Sequence, residues 1–272
     1  MNSSIELSNK LYTIEDNFLR KLKNEWFTGS QKLVTNAQFI PLANEWFQST
    51  KINDIRGWDK FPYKDVIMGC TQYIESFFIK YGQEGFQILE DEYAYYRLMG
   101  KHGVKLGNLE ANKPLIVSFP NFKYIDDRPG WQDLFLECEQ KDIDIHLDMA
   151  WITTARDVAI DLDHPNIKSF AMSLSKYSLH WNRVGLRWTK QRTMDSITIF
   201  NHYYGDVNSG ITSCGNFMIE NLPRDYGWDT YRDKHFQICR DNNLESTKMI
   251  HVVKRPDDTE SYGIAKYLTQ DE

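Results

Sequence analysis

Over the first stretch of the chain, residues 1–50, apolar side chains recur at helical intervals: Leu19, Leu22 and Trp26, then Leu42, Trp46 and Phe47, with Gly29 and Ser30 between the two sets. Steps of three and four residues put these side chains on one stripe, so the segment reads as helices forming an arm or cap. From Lys64 the texture changes to short apolar runs alternating with amphipathic stretches: DVIMG, QYIESFFIKYG, FQILEDEY, and a helix-sized piece through Leu106. The rhythm continues with KPLIVSF, the helical WQDLFLECEQK, and the strands IDIHLDMAW and IKSFAMSL. Buried-looking strands separated by helix-sized crossovers predict an α/β fold, with helices covering both faces of a sheet in three αβα layers. The sheet is expected to be mostly parallel and mixed. Beyond Arg183 the pattern predicts a long helix near 190–204, a turn-rich stretch (GDVNSG, SCGN), a Trp, Tyr and Arg-rich helix over 224–241, and two short strands.

Composition narrows the partners rather than the fold. The 272 residues are 41% hydrophobic and 26% charged, the profile of a folded globular chain and not of a disordered one. A formal charge of -6, with no basic run beyond fragments such as Lys21 and Lys23, argues against nucleic acid or an anionic membrane as partner. No apolar run reaches the ~18 residues of a membrane span, and the N-terminal MNSSIELSNKLYTIEDNF lacks the apolar core of a signal peptide. Four cysteines (Cys70, Cys138, Cys214, Cys239) without CxxC spacing point away from a zinc site or disulfide scaffold and toward a reducing cytoplasm. No metal site is expected.

Ligands of open α/β sheets sit beyond the carboxyl ends of the strands, so the residues that follow each apolar run come first. SLSKYSLHWNRVG places Ser173 and Ser175 before Lys176, with Arg183 seven residues later. A desolvated lysine can be a neutral nucleophile toward an aldehyde, and hydroxyls with a guanidinium suit a phosphate dianion. Taken alone, the same string is what a solvated loop lysine would show. The strand IDIHLDMAW ends in Asp148, 28 residues upstream of Lys176, with Trp151 just beyond. KPLIVSFPNF ends a strand in a Pro-Asn turn at Asn121. EDEYAYYRLMG offers Tyr93, with Tyr96 in reserve, as a ring to stack on a flat ligand or simply to pack a helix face. DVIMGCTQYIESFF reads as strand, glycine turn and helix start, so Gly69, Cys70 and Thr71 would present backbone N–H groups at a positive helix end. No GxGxxG or GxxxxGK[ST] opens a helix after a strand, which sets aside a nucleotide-binding Rossmann enzyme.

The order of these pieces resembles the class I/II aminotransferases, the fold-type-I pyridoxal-phosphate (PLP) enzymes, over residues 64–185. The resemblance implies roles. Lys176 would hold the cofactor as a Schiff base, Asp148 would keep the pyridine nitrogen protonated, and Asn121 would donate to the ring oxygen. Gly69, Cys70, Thr71, Ser173, Ser175 and Arg183 would cradle the phosphate, and Tyr93 would stack on the ring. Trp151 stands where the family often has a tyrosine. The degraded Phe-Pro-Asn-Phe string is a second departure from the family pattern. Three segments are implied: a helical N-terminal arm (1–50), a PLP-binding large domain (51–205) and a reduced C-terminal small domain (206–272). The arginine that clamps a substrate carboxylate would be Arg255, or failing that Arg240. The implied activity is transfer of an amino group between an amino acid and a keto acid, in a homodimer with its active site at the interface. Other PLP chemistry (decarboxylation, elimination or oxidation), or a binding module that keeps the fold without turnover, remains open on the same residues.

Overall fold

The computed structural model describes residues 5–30, 32–126, 129–177, 179–180, 182–205, 209–256, 258 and 260–270. Two helices open the chain, α1 (Asn17–Thr28) and α2 (Asn36–Gln48). Each starts on a side-chain cap: Asp16 accepts from the Leu19 N–H at 2.7 Å, and Thr35 with Gln38 forms a capping box. The short β1 (Asp54–Arg56) leads into β2 (Tyr63–Ile67), α3 (Gly69–Tyr81), α4 (Ala94–Leu98), β3 (Leu115–Ser118), α5 (Trp131–Gln140) and β4 (Ile145–Asp148). Then come β5 (Ala159–Asp161), which pairs with β1, β6 (Ile167–Ser173) and β7 (Gly185–Thr189). The chain continues through α6 (Ser196–His202), α7 (Ser209–Asn221), α8 (Tyr226–Asp241), β8 (Glu245–Ser246), β9 (Val252–Lys254), β10 (Ser261–Gly263) and α9 (Ala265–Leu268). Strands β8, β9 and β10 form a small antiparallel sheet that Ser8 joins through a bridge to Gly263.

The central sheet has the order β2-β7-β6-β4-β3. Pairs β3/β4 and β4/β6 are parallel, whereas β7 runs antiparallel to both of its neighbours. The sheet is thus mixed, with β7 the reversed strand. Alternate side chains separate into two cores, as the period of two in a strand requires. Leu115, Val117, Ile145, Leu147, Phe170, Met172, Leu186 and Trp188 pack with α1, α2, α5, α7 and α8 on one face. Ile116 and Ala171 pack with Tyr73, Ile74 and Phe77 of α3 on the other. The expected αβα layering holds, and the α3 face also carries the polar residues His146, Asp148, Ser169, Ser173 and Arg187 of β4, β6 and β7.

Three expectations need correction. Residues 190–204 do not form one long helix: β7 occupies 185–189, and α6 begins only where Asp195 accepts from the Thr198 N–H at 3.0 Å. Arg187 hid this strand by interrupting its apolar run, yet it is buried, paired with Asp65 at 2.6 Å and Asp195 at 2.5 Å. SCGN lies inside α7 and not in a turn, while 206–208 of the GDVNSG stretch lie outside the described residues. Gly215 is there because a Cβ would come within 2.8 Å of Val184 Cγ1 and 2.9 Å of Phe39 Cε2; its absence lets α7 lie close against α2. Finally, FQILEDEY is no strand, contributing single bridges at Gln87 and Leu89 before the five-residue α4.

Candidate active site

A cavity of about 500 Å³ opens beyond the carboxyl ends of β4 and β6, where the N-terminus of α3 meets the sheet. Asp148, the last residue of β4, forms its floor and is buried at 4% exposure. Its Oδ1 accepts from the Ala150 N–H at 3.1 Å, but loss of water outweighs this and pushes the carboxyl up to about 7, with the Glu92 carboxylate adding to the rise. Glu92 is itself buried and takes hydrogen bonds from the Ser118 N–H and hydroxyl.

Lys176 follows β6 on a turn in which the Tyr177 N–H donates to the Leu174 carbonyl. Burial lowers its ammonium to about 8, the Asp148 charge opposing that fall and Arg183 adding to it. The Nζ lies 3.6 Å from the centre of the Trp151 ring, whose side chain stacks on His251 with centroids 5.3 Å apart. An indole face holds a cation through its quadrupole, so Trp151 is where the charge of Lys176 rests. His251 is fully buried with neither ring nitrogen hydrogen-bonded among the described residues, and desolvation holds it near 3, neutral in the physiological range.

The other wall is the start of α3. Gly69 has φ +75° and lies under Arg183, whose Cβ would stand 3.1 Å from a glycine Cβ, so the position requires both the left-handed backbone and the missing side chain. No side chain caps this helix at Met68, which leaves its first turn to present N–H groups outward. The Arg183 Nη1 donates to Thr71 Oγ1 at 3.1 Å, bringing a guanidinium and a hydroxyl to the same end. Ser173 and Ser175 share a 2.9 Å hydrogen bond, and Ser175 lines the cavity. The Cys70 thiol lies between Asp148 and the Ala171 carbonyl, 3.6 Å from the latter, and burial pushes it up.

The structure therefore brings Cys70, Thr71, Tyr93, Asp148, Trp151, Ser175, Lys176 and Arg183 to one cavity, with Gly69 and Ser173 directly behind them. Tyr93 is 44% exposed at its mouth and stacks on Tyr95, whereas Tyr96 is fully buried with its hydroxyl unpartnered among the described residues. Asn121 does not line it. Its Oδ1 caps a turn by accepting from the Lys123 N–H at 3.0 Å. Arg255 is exposed over the Tyr262 ring and borders a separate depression with Leu7 and Asn242; Arg240 is also exposed, on α8. Sequence reasoning missed the segment 11–15, which walls the mouth with Leu11, Tyr12, Thr13 and Glu15. A hydrogen bond from the Ile14 N–H to the Lys176 carbonyl at 3.3 Å anchors it. It also missed Ser118, Glu92 and His180. Only the acidic texture of EDEY hinted at Glu92, and that texture reads as a solvated face.

No protein-family model matches the chain, and no curated protein does. Solved structures do match. An aminotransferase from Staphylococcus aureus is 14% identical, with a TM-score of 0.57 over 92% of this chain and 78% of that one. An aspartate aminotransferase from Thermus thermophilus, solved with maleate, is 11% identical at a TM-score of 0.58, over 90% of this chain and 75% of its own. A PLP-bound C-S lyase from Staphylococcus hominis, complexed with L-cycloserine, is 11% identical at 0.61, over 93% and 75%. Identity this low carries no chemistry, but the overlap spans nearly the whole chain: it has the fold that these aminotransferases share with the C-S lyase, as its own ordered residues 64–185 suggested.

Proposed function

We propose that the protein is a PLP-dependent enzyme that transfers amino groups between an amino acid and a keto acid. The observation that carries this reading is the pairing of a lysine lowered to about 8 with an aspartate raised to about 7 on one cavity, at the uncapped start of a helix. The residues present fit the cofactor. An uncapped helix N-terminus with Thr71, Ser175 and Arg183 has the donors and positive charge that a phosphate dianion needs. A desolvated carboxylate in the Asp148 position is stabilised by facing a protonated ring nitrogen, and Lys176 would hold the cofactor's aldehyde end. When bound, PLP supplies an electron sink for the pair left when a bond to the substrate's α-carbon breaks.

The chain's own residues do the rest. The Nζ of Lys176, able to shed its proton near neutrality, is the base that takes the α-proton of the amino acid and the acid that returns it. Trp151 provides a flat face on which Nζ can rest while it is not bonded, 3.6 Å away. Tyr93 and the segment 11–15 narrow the mouth, and Arg183 with Gly69 fixes the phosphate end. A homodimer belongs to the same proposal and is tested by sedimentation equilibrium.

The experiment is reduction with borohydride in the presence of PLP, followed by peptide mapping. Label on Lys176, absent from Lys176→Ala, is expected; no label on Lys176 in the folded wild type overturns every PLP reading. An amino acid that shifts the bound absorbance, reversed by a keto acid, supports amino transfer. Release of ammonia or sulfide without that reversal would replace it with lyase chemistry, of the kind named for the S. hominis neighbour.

A further inference from the structure

A second cavity, of about 400 Å³, lies at the opposite end of α3, against the amino ends of β4 and β6. Its walls are of two kinds. Tyr73, Phe77 and Tyr81 of α3 supply an aromatic side. Lys80, Lys168, Arg187 and Lys190 bring four cations against the two carboxylates Asp144 and Asp195. Those carboxylates are already engaged: Asp195 with Arg187 at 2.5 Å, and Asp144 with Lys168 at 3.4 Å. Asp65 adds a further neutralising charge to Arg187 from behind.

Two cations are left over. The Lys190 Nζ donates to the carbonyl oxygens of His164 at 2.7 Å and Asp163 at 3.3 Å, leaving one of its three donors. The Lys80 ammonium lies 4.8 Å from the Tyr81 ring centre and pairs with no carboxylate among the described residues. Deeper in, Tyr73 and His146 both hydrogen-bond the Ser169 hydroxyl, at 2.6 and 2.7 Å, and the His146 Nε2 has no partner among the described residues. Lys80, Arg187 and Lys168 act together on that imidazole and, with burial as the leading cause, hold it near 3. Positive potential therefore converges on a cleft with a flat apolar side, the combination that recruits anions.

We propose that this second cavity binds a small organic anion with a flat apolar body, Lys80 and Lys190 holding its charged group and Tyr73, Phe77 and Tyr81 its body. The site is separate from the proposed PLP site and does not depend on it. Calorimetric titration of the full chain with phenyl phosphate, benzoate and the neutral benzyl alcohol tests it. At least one equivalent of each anion is expected to bind saturably, phenyl phosphate being able to fill the first cavity as well, and the alcohol is not. Binding should be kept in Arg183→Ala, which alters only the first cavity, and should weaken roughly tenfold in Lys80→Gln/Lys190→Gln, where both positive charges are gone. Far-ultraviolet circular dichroism checks that both variants fold. Failure of both anions to saturate overturns the proposal. So does binding lost in Arg183→Ala but intact in the lysine variant, because the anion would then sit in the first cavity.

Discussion

Asp148→Asn should make the cofactor-free protein more stable at pH 8. In the folded chain the carboxyl sits near 7, against an ordinary value of 3.8, chiefly because it is cut off from water. A raised carboxyl favours the protonated form, so its favourable contribution is complete below about pH 4 and is lost as pH rises through 7. The shift is about three pH units, and at ~1.4 kcal/mol per unit the ionised carboxylate costs the fold up to about 4 kcal/mol at pH 8. Asparagine has nearly the same shape, carries no charge and keeps an oxygen for the Ala150 N–H. The variant should therefore exceed the wild type at pH 8 by up to about 4 kcal/mol, a rise on the order of 10 °C in Tm for a chain this size. At pH 4 the two should converge. Urea unfolding of the cofactor-free proteins at both pH values is the assay, and PLP capture measured alongside should fall in the variant. A variant no more stable than wild type at pH 8, or stabilised equally at pH 4, would refute the assignment of Asp148 as a desolvated, ligand-directed acid.

Further outcomes follow from the same geometry. The Lys176 amine, lowered to about 8, should make borohydride-trappable PLP capture climb with pH and reach half its maximum near 8; a profile flat from pH 6 to 10 would contradict the burial of its ammonium. Gly69→Ala forces a side chain into φ +75° and against Arg183, costing ~1–2 kcal/mol by thermal unfolding and weakening PLP binding more than benzoate binding. Arg187→Met leaves Asp65 and Asp195 buried without their cation and should cost ~3–5 kcal/mol in urea unfolding, a far larger loss than any exposed pair such as Lys21 with Glu25 would give.

What could be read from the chain was whatever lies close in sequence or obeys a short period. The strand runs ending in Ser118, Asp148 and Ser173 are apolar because both faces of the sheet are covered, and that pattern alone placed β3, β4 and β6. Gly69 was legible because strand, glycine and helix are adjacent, and Lys176 because its hydroxyls and Arg183 are near it in sequence. β7 was not, since Arg187 is a charge made tolerable by Asp195, beyond the strand, and by Asp65, 122 positions earlier. The same limit hid the segment 11–15 at the mouth, which meets Lys176 through one backbone hydrogen bond across the length of the fold. Asn121 came from a turn motif, and the turn does engage its side-chain oxygen, which accepts from the Lys123 N–H, whereas the role expected of it uses the amide N–H groups.

The first cavity also departs from what would stabilise the chain alone. An aspartate raised to about 7, a lysine lowered to about 8 and an unpartnered buried histidine held near 3 sit within one contiguous group around Trp151. Their contributions have opposite pH senses. The raised carboxyl loses stability as pH climbs toward 7, and the lowered amine loses it as pH falls from 10.5 toward 8, so between 7 and 8 the cofactor-free fold carries both losses together. A bound partner that presents a positive group to Asp148 and takes the charge from Lys176 removes both at once. Binding and folding are then coupled, and the gain in stability on loading should be largest in that window. A surface lysine and a capping aspartate would produce no such window, so the pH dependence of the loading gain separates a built site from a coincidence of residue types.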